Sequence, residues 1–240
     1  MTMINGIGKS SGFNPGDCLN EADVLLFDLD GTLVRSPLVE VIIQTANQFG
    51  VAVSRQAVQQ LKFSGRLTCG WRATHEIVSA ARPDISFARV KRCFETLYQG
   101  SHRRPGLHAL EQLEPELERM HRLSQLFRTG VVTGRPTADA LRFLHRFEVH
   151  SLMRVVVCRE DYAPVLKPHP RPLRIALQKL RVRASDRVWY FGDTPEDMQC
   201  AVTAGVRGAG VIAHGDDPAL AERALLAAGA RFVLSSLDEL

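Results

Sequence analysis

The chain has 240 residues, 45% hydrophobic and 23% charged, with a formal net charge of +4. That is the balance of a globular protein able to bury a core without staples, and no apolar run approaches the roughly 20 residues of a membrane helix. The basic residues are scattered from Arg35 to Arg231 and only 7% of residues are aromatic, so a basic stripe for nucleic acid is absent and no nucleic-acid or membrane partner is expected. Five cysteines stand far apart and eight histidines form no cluster, which argues against a disulfide framework and against zinc. With no signal-peptide pattern at Met1–Asn20, the expected location is the cytoplasm.

Residues 1–20 lack periodicity and are expected to form a loose tail. Gly8-Lys9-Ser10 invites a P-loop reading, but the glycine needed five residues earlier is Met3. The apolar run Val24–Phe27 then ends in Asp28-Leu29-Asp30-Gly31-Thr32, the pattern of a buried parallel strand that delivers acidic residues at its carboxyl end. Ser36-Pro37 suggests an N-cap with proline at the first helical position. Apolar spacings of three and four from Leu38 to Leu97 predict about four helices with no strand before residue 100.

After Arg104-Pro105-Gly106 the pattern changes. A helical stretch containing Pro115 leads into the apolar Val131-Val132 and then Thr133-Gly134-Arg135-Pro136. Strand signals follow at 155–158, 188–191, 209–213 and 231–234, separated by helices starting near Pro136, Pro172, Pro195 and Pro218. Alternating strands and helices predict a parallel sheet covered on both faces, with ligands beyond the carboxyl ends of the strands. Asp28, Thr133, Lys167 and Asp193 all fall there.

Each group has a plain structural reading beside the chemical one. Two carboxylates two residues apart at a strand end suit a nucleophile and an acid/base, but Asp-Gly is also a common turn. An EF-hand is excluded because Gly31 is fourth, not sixth, and the twelfth residue is Val39. Thr133-Gly134 at a helix entry can cradle a phosphate or simply cap the helix. Lys167, held by the prolines at 168, 170 and 172, can bridge a carboxylate and a phosphoryl oxygen or lie exposed. Asp193 suits a hard cation, whereas Asp197 completes a Thr194-Pro195-Glu196-Asp197 capping box.

Taken in order, the four segments resemble the motifs of the haloacid dehalogenase superfamily, over residues 23 to about 214. A helical insert after the first motif is similar to the subfamily that includes phosphoglycolate phosphatase and β-phosphoglucomutase. The resemblance implies an α/β fold: a three-layer Rossmann-like core with a parallel sheet (21–36 and 104–240) and an inserted α-helical cap (37–103). It further implies that Asp28 is the nucleophile and Asp30 the acid/base. Thr133, the Gly134 N–H and Lys167 would bind phosphate. Asp28, the Asp30 carbonyl and Asp193 would ligate Mg2+, with Asp197 behind them.

The implied activity is a Mg2+-dependent phosphomonoester hydrolase that passes through a phospho-aspartate and acts on a small phosphorylated metabolite. A phosphomutase and a catalytically silent regulatory protein are the alternatives. Arg35 stands where many relatives carry an acid, and the segment 113–126 is long. The glycines of Gly65–Arg72 would let a loop approach the site, so Arg66 and Arg72 are the candidate substrate-selecting residues.

Overall fold

The computed structural model describes residues 19–65 and 69–240. Its centre is a six-stranded, all-parallel sheet: β1 (Val24–Phe27), β2 (Arg128–Val132), β3 (Val155–Val157), β4 (Val188–Gly192), β5 (Arg207–Val211) and β6 (Ala230–Leu234), ordered β6-β5-β4-β1-β2-β3. The chain runs from β1 to one edge, then returns to the far side of β1 for β4. That reversal places the switch point beside β1, where open α/β sheets bind ligands.

Alternation along β1 shows why three layers form. Leu25 and Phe27 join one buried cluster with helices α5 (Leu117–Leu126) and α6 (Thr137–Arg146). Val24 and Leu26 join the opposite cluster with α8 (Arg171–Leu180) and α9 (Pro195–Ala204). All four β1 side chains are fully buried, so this strand is apolar on both faces, as a central parallel strand must be.

Between β1 and β2 lie four further helices: α1 (Leu38–Gln48), α2 (Arg55–Phe63), α3 (Gly70–Ala81) and α4 (Phe87–Gln99). They bury their own apolar face, centred on Val41, Ile42, Val58, Phe94 and Tyr98, with Ala46, Val78 and Val90 in an adjoining cluster. Phe87 is 39% exposed at the start of its helix and stacks edge-on against His75. A four-residue helix, α7 (Arg159–Tyr162), follows β3, and α10 (Pro218–Ala227) follows β5. No helix among the described residues is long and apolar enough to cross a membrane.

Three local expectations change. Pro37 occupies the N-cap position and α1 starts at Leu38, one residue later than the Ser-Pro pattern suggests, while the Leu38 N–H still reaches Ser36 Oγ at 3.2 Å. The stretch around Pro115 is not one helix. A 3-10 turn (Leu107–Leu110) and a short strand (Gln112–Leu113) paired with Val34–Arg35 precede α5, which starts after the proline. Finally, Leu19 is buried in the main core, so the expected tail does not extend through it; residues 1–18 lie outside the described residues.

Because β1 is buried on both faces, trimming it has no exposed outlet. Leu26→Ala is expected to lower the unfolding free energy by about 2–5 kcal/mol, read from urea denaturation with an unchanged slope.

Candidate active site

Register assembles the site. Phe27 pairs laterally with Val131 on β2 and with Phe191 on β4, so the residues just past each strand end meet: Asp28 from β1, Thr133 from β2 and Asp193 from β4. The Asp28 N–H donates to the Phe191 carbonyl at 2.9 Å, which holds the first carboxylate at the sheet's edge. The loop then folds on the Leu29 carbonyl, which accepts from the N–H groups of Thr32, Leu33 and Val34. Gly31 has φ +73°, and a Cβ there would overlap the Asp193 carboxylate; glycine is required on both counts.

Three carboxylates, from Asp28, Asp193 and Asp197, offer oxygens within 4.8 Å of one another, and all three residues are buried. Such crowding has to be balanced. Lys167 supplies one cation: its Nζ lies 2.5 Å from Asp197 Oδ1, 3.0 Å from the Tyr190 hydroxyl and 3.2 Å from Asp28 Oδ1. The last contact is an ion pair off the hydrogen-bonding direction, and Asp28 Oδ1 has no hydrogen-bond partner. Burial pushes the Asp28 carboxyl up to about 8 against the pull of Lys167, with Asp197, Asp193 and Asp30 adding to the rise.

Asp197 is fully engaged. Its Oδ1 also accepts from Tyr190, while Oδ2 accepts from the Thr194 N–H at 3.2 Å and its hydroxyl at 2.5 Å. It therefore completes the capping box at α9 and anchors Lys167 at once. Asp193 keeps its Oδ1 unpartnered while Oδ2 lies 2.5 Å from Lys62. Burial raises its carboxyl to about 6, and Lys62 opposes that rise.

The second carboxylate of the first motif is held differently. Arg135 grips Asp30 with two prongs, Nε at 2.8 Å and Nη2 at 2.6 Å. Burial alone would raise the Asp30 carboxyl, but Arg135 holds it below its ordinary value. Arg135 Nη1 lies 2.8 Å from buried Glu111, which accepts 2.7 Å from the hydroxyl of Tyr98 on α4. Thr133 is buried, with its hydroxyl accepting from the Arg135 N–H at 3.2 Å and its carbonyl from Tyr162 at 2.7 Å. Beside Gly134 the nearest atom to an added Cβ would be the Tyr162 oxygen at 4.0 Å, so the backbone there is open.

Asp28, Asp30, Lys62, Gly134, Arg135, Lys167 and Asp193 line one cavity of about 190 Å³ beneath the helical insert, whereas Thr133 and Asp197 stand behind it. The structure thus brings Asp28, Asp30, Thr133, Gly134, Lys167, Asp193 and Asp197 together. Arg66 lies outside the described residues. Arg72 is exposed on α3 and is not among the residues lining the cavity.

The sequence reading missed four participants. Lys62 and Gln59 lie one helical turn apart on α2; Lys62 ion-pairs with Asp193 and Asp216, and Gln59 donates to the Gly215 carbonyl at 2.6 Å. Nothing local marks them, because lysine and glutamine on an amphipathic helix read as a solvated face. Arg135 sits inside the quoted Thr-Gly-Arg-Pro segment, and Arg159 follows an apolar strand; strand-end position was the available signal for both.

A buried strand-end carboxylate beside a lysine, a hydroxyl and a second paired carboxylate is an arrangement able to serve hydrolytic chemistry. A family model described as haloacid dehalogenase-like hydrolase matches residues 25–211, and the chain belongs to that family. It is similar to an imidazoleglycerol-phosphate dehydratase of Phytophthora nicotianae, 36% identical over 80% of this chain; the chain spans only 42% of that relative. It is 28% identical to a phosphoglycolate phosphatase of Xylella fastidiosa, over 81% of this chain and 83% of that one. A haloacid dehalogenase-like family hydrolase of Streptococcus pneumoniae shares the fold, with a TM-score of 0.68, 18% identity, and coverage of 90% of this chain and 95% of that one. The protein is a hydrolase of this family.

Glu196, at the start of α9, is 3% exposed and neither of its oxygens has a hydrogen-bond partner. Burial pushes its carboxyl up to about 7. A raised carboxyl binds its proton more tightly in the folded state, so the contribution is present at low pH and is lost as pH climbs from about 4.5 through 7. Urea unfolding in chelator should therefore show Glu196→Gln gaining on the wild type across that window, by at most about 3 kcal/mol.

Proposed function

We propose that the protein is a Mg2+-dependent phosphomonoester hydrolase that transfers the phosphoryl group of a small metabolite to Asp28 and then to water. The observation that carries this reading is the unpartnered Asp28 oxygen, buried at the β1 end, with Lys167 3.2 Å away. The phosphatase relatives support the same class.

The donor set fits a hard cation. Two buried carboxylate oxygens, Asp28 Oδ1 and Asp193 Oδ1, lack hydrogen-bond partners, whereas both oxygens of Asp197 are engaged. Asp28, the Asp30 carbonyl and Asp193 would hold the ion, with Asp197 positioning Lys167. When bound, the ion neutralises charge between the Asp28 carboxylate and the phosphate.

The chain's own residues supply the rest. Asp28 attacks phosphorus as the ester oxygen leaves, and Asp30 gives that oxygen a proton. Asp30 then takes a proton from water as water displaces Asp28. The Thr133 hydroxyl, the Gly134 N–H and Lys167 hold the equatorial oxygens. In the present arrangement the Arg135 fork favours ionised Asp30, the form that accepts water's proton. Proton donation requires the fork to yield one oxygen. We read the helical segment 37–103 as a cap that excludes water while this occurs, since Lys62 and Tyr98 tie it to the strand-end loops and the Arg135 network.

Asp28→Asn is expected to abolish phosphate release from an aryl phosphate, and chelator to do so reversibly. Retained turnover in Asp28→Asn would disprove the covalent route. Asp30→Asn should slow turnover by roughly 10²–10⁴-fold, with phospho-Asp28 sought by intact mass. Mg2+ should raise the thermal midpoint of the wild type but not that of Asp193→Asn, which reads the cation independently of turnover. With a sugar bisphosphate, release of phosphate should outrun isomerisation.

A further inference from the structure

Five lysine and arginine side chains among the described residues line the cavity: Arg35, Lys62, Arg135, Arg159 and Lys167. Four are already neutralised by carboxylates. Arg35 pairs with Glu114, Lys62 with Asp193 and Asp216, Arg135 with Asp30 and Glu111, and Lys167 with Asp28 and Asp197. Arg159 has no carboxylate within ion-pair distance among the described residues. Its guanidinium sits 4.9 Å from the centre of the Trp71 ring, and Nη1 lies 3.6 Å from Cys69 Sγ.

The acids next to it in sequence are occupied elsewhere. Glu160 accepts from the N–H and hydroxyl of Thr137 at 2.9 and 2.8 Å. Asp161 pairs with Lys179 at 2.8 Å and accepts from the Cys158 N–H at 2.8 Å. The Arg159 backbone is fixed as well, donating to the Arg135 carbonyl at 3.0 Å. The residue is therefore a positioned guanidinium over an indole, whose one polar side-chain contact among the described residues is a thiol. A thiol is a weak acceptor that an anion displaces easily. A planar guanidinium with no acid on it suits two-pronged binding of a carboxylate.

We infer that Arg159 selects the substrate: it binds a second anionic group, a carboxylate, on the phosphate ester whose phosphoryl group sits at Asp28. This rests on the phosphatase reading and adds to it the residue and the substrate class. Trp71 and Cys69 belong to the insert while Arg159 belongs to the sheet side, so the anion would be bound where the two halves of the site meet.

The test compares the wild type, Arg159→Gln and Arg159→Lys on 2-phosphoglycolate and on phenyl phosphate, which lacks the second anion. The expected result is a loss of kcat/KM on 2-phosphoglycolate in Arg159→Gln of about 10–100-fold, exceeding the loss on phenyl phosphate at least tenfold. Arg159→Lys should recover part of it. Thermal stabilisation by inorganic phosphate, which needs only the phosphoryl site, should persist in both variants and shows that they are folded. Equal losses on the two esters, or no loss on either, would overturn the inference and leave Arg159 as a contact that pins the insert through Trp71. If the wild type releases phosphate from neither ester, the phosphatase reading itself fails. If it hydrolyses both without preference for the carboxylate, only the role of Arg159 fails.

Discussion

Everything at this site follows from placing several carboxylates in one buried space. Asp28, Asp193 and Asp197 stand within 4.8 Å of one another, and like charges so close cannot all be ionised without compensation. The fold answers with three cations from three directions: Lys167 from the loop beyond β3, Arg135 from the turn beyond β2, and Lys62 from the insert. Lys62 and Arg135 are buried and Lys167 is half-buried; burial works against each of these charges, and the facing carboxylates sustain it. Neither sign is stable alone, so the geometry of one set dictates that of the other.

The division between committed and open oxygens is the functional consequence. Asp197 spends every acceptor on Lys167, Tyr190 and the α9 cap, which makes it a rigid support. Asp193 gives Oδ2 to Lys62 and leaves Oδ1 open; Asp28 leaves Oδ1 outside any hydrogen bond. The open atoms are those that would meet a cation and a phosphorus. Asp30, held in the Arg135 fork, is neither open nor rigidly buried: its side chain keeps 28% exposure, consistent with a group that has to exchange protons with a ligand.

The legibility of this arrangement in the sequence had a physical boundary. Strand-end residues were readable because a parallel strand is a short apolar run, and whatever follows it must emerge at the sheet's carboxyl edge; Asp28, Thr133 and Asp193 were located that way. The helix count of the insert was also readable, since each helix buries a stripe at a spacing of three to four. What could not be read was pairing across long separations. Lys62 meets Asp216, 154 residues away, and Arg135 meets Asp30, 105 residues away. A lone lysine on a helix carries no local mark of its partner. The same holds for Arg35, whose departure from the usual acid is matched by Glu114, held opposite it by the short strand pairing that the Pro115 stretch concealed.

The insert is bound to the sheet side by contacts of different kinds, and this matters for how the site can work. Lys62 and Gln59 fasten α2 to the loop at Gly215–Asp216 through charge and a backbone carbonyl. Tyr98 fastens α4 to Glu111, and through it to Arg135 and Asp30. At the third point, Trp71 and Cys69 meet Arg159 without any carboxylate. The first two contacts are satisfied within the protein and resist exchange: breaking the first strands a buried charge, and breaking the second strands a buried hydroxyl. The third leaves a guanidinium with only a ring and a sulfur, so a ligand anion can improve on its present partners at little cost. On the proposed reading, the contacts that hold the insert and the one that meets substrate are separate side chains, so chemistry at Asp28 can remain constant while the residues around Arg159 change what the site accepts.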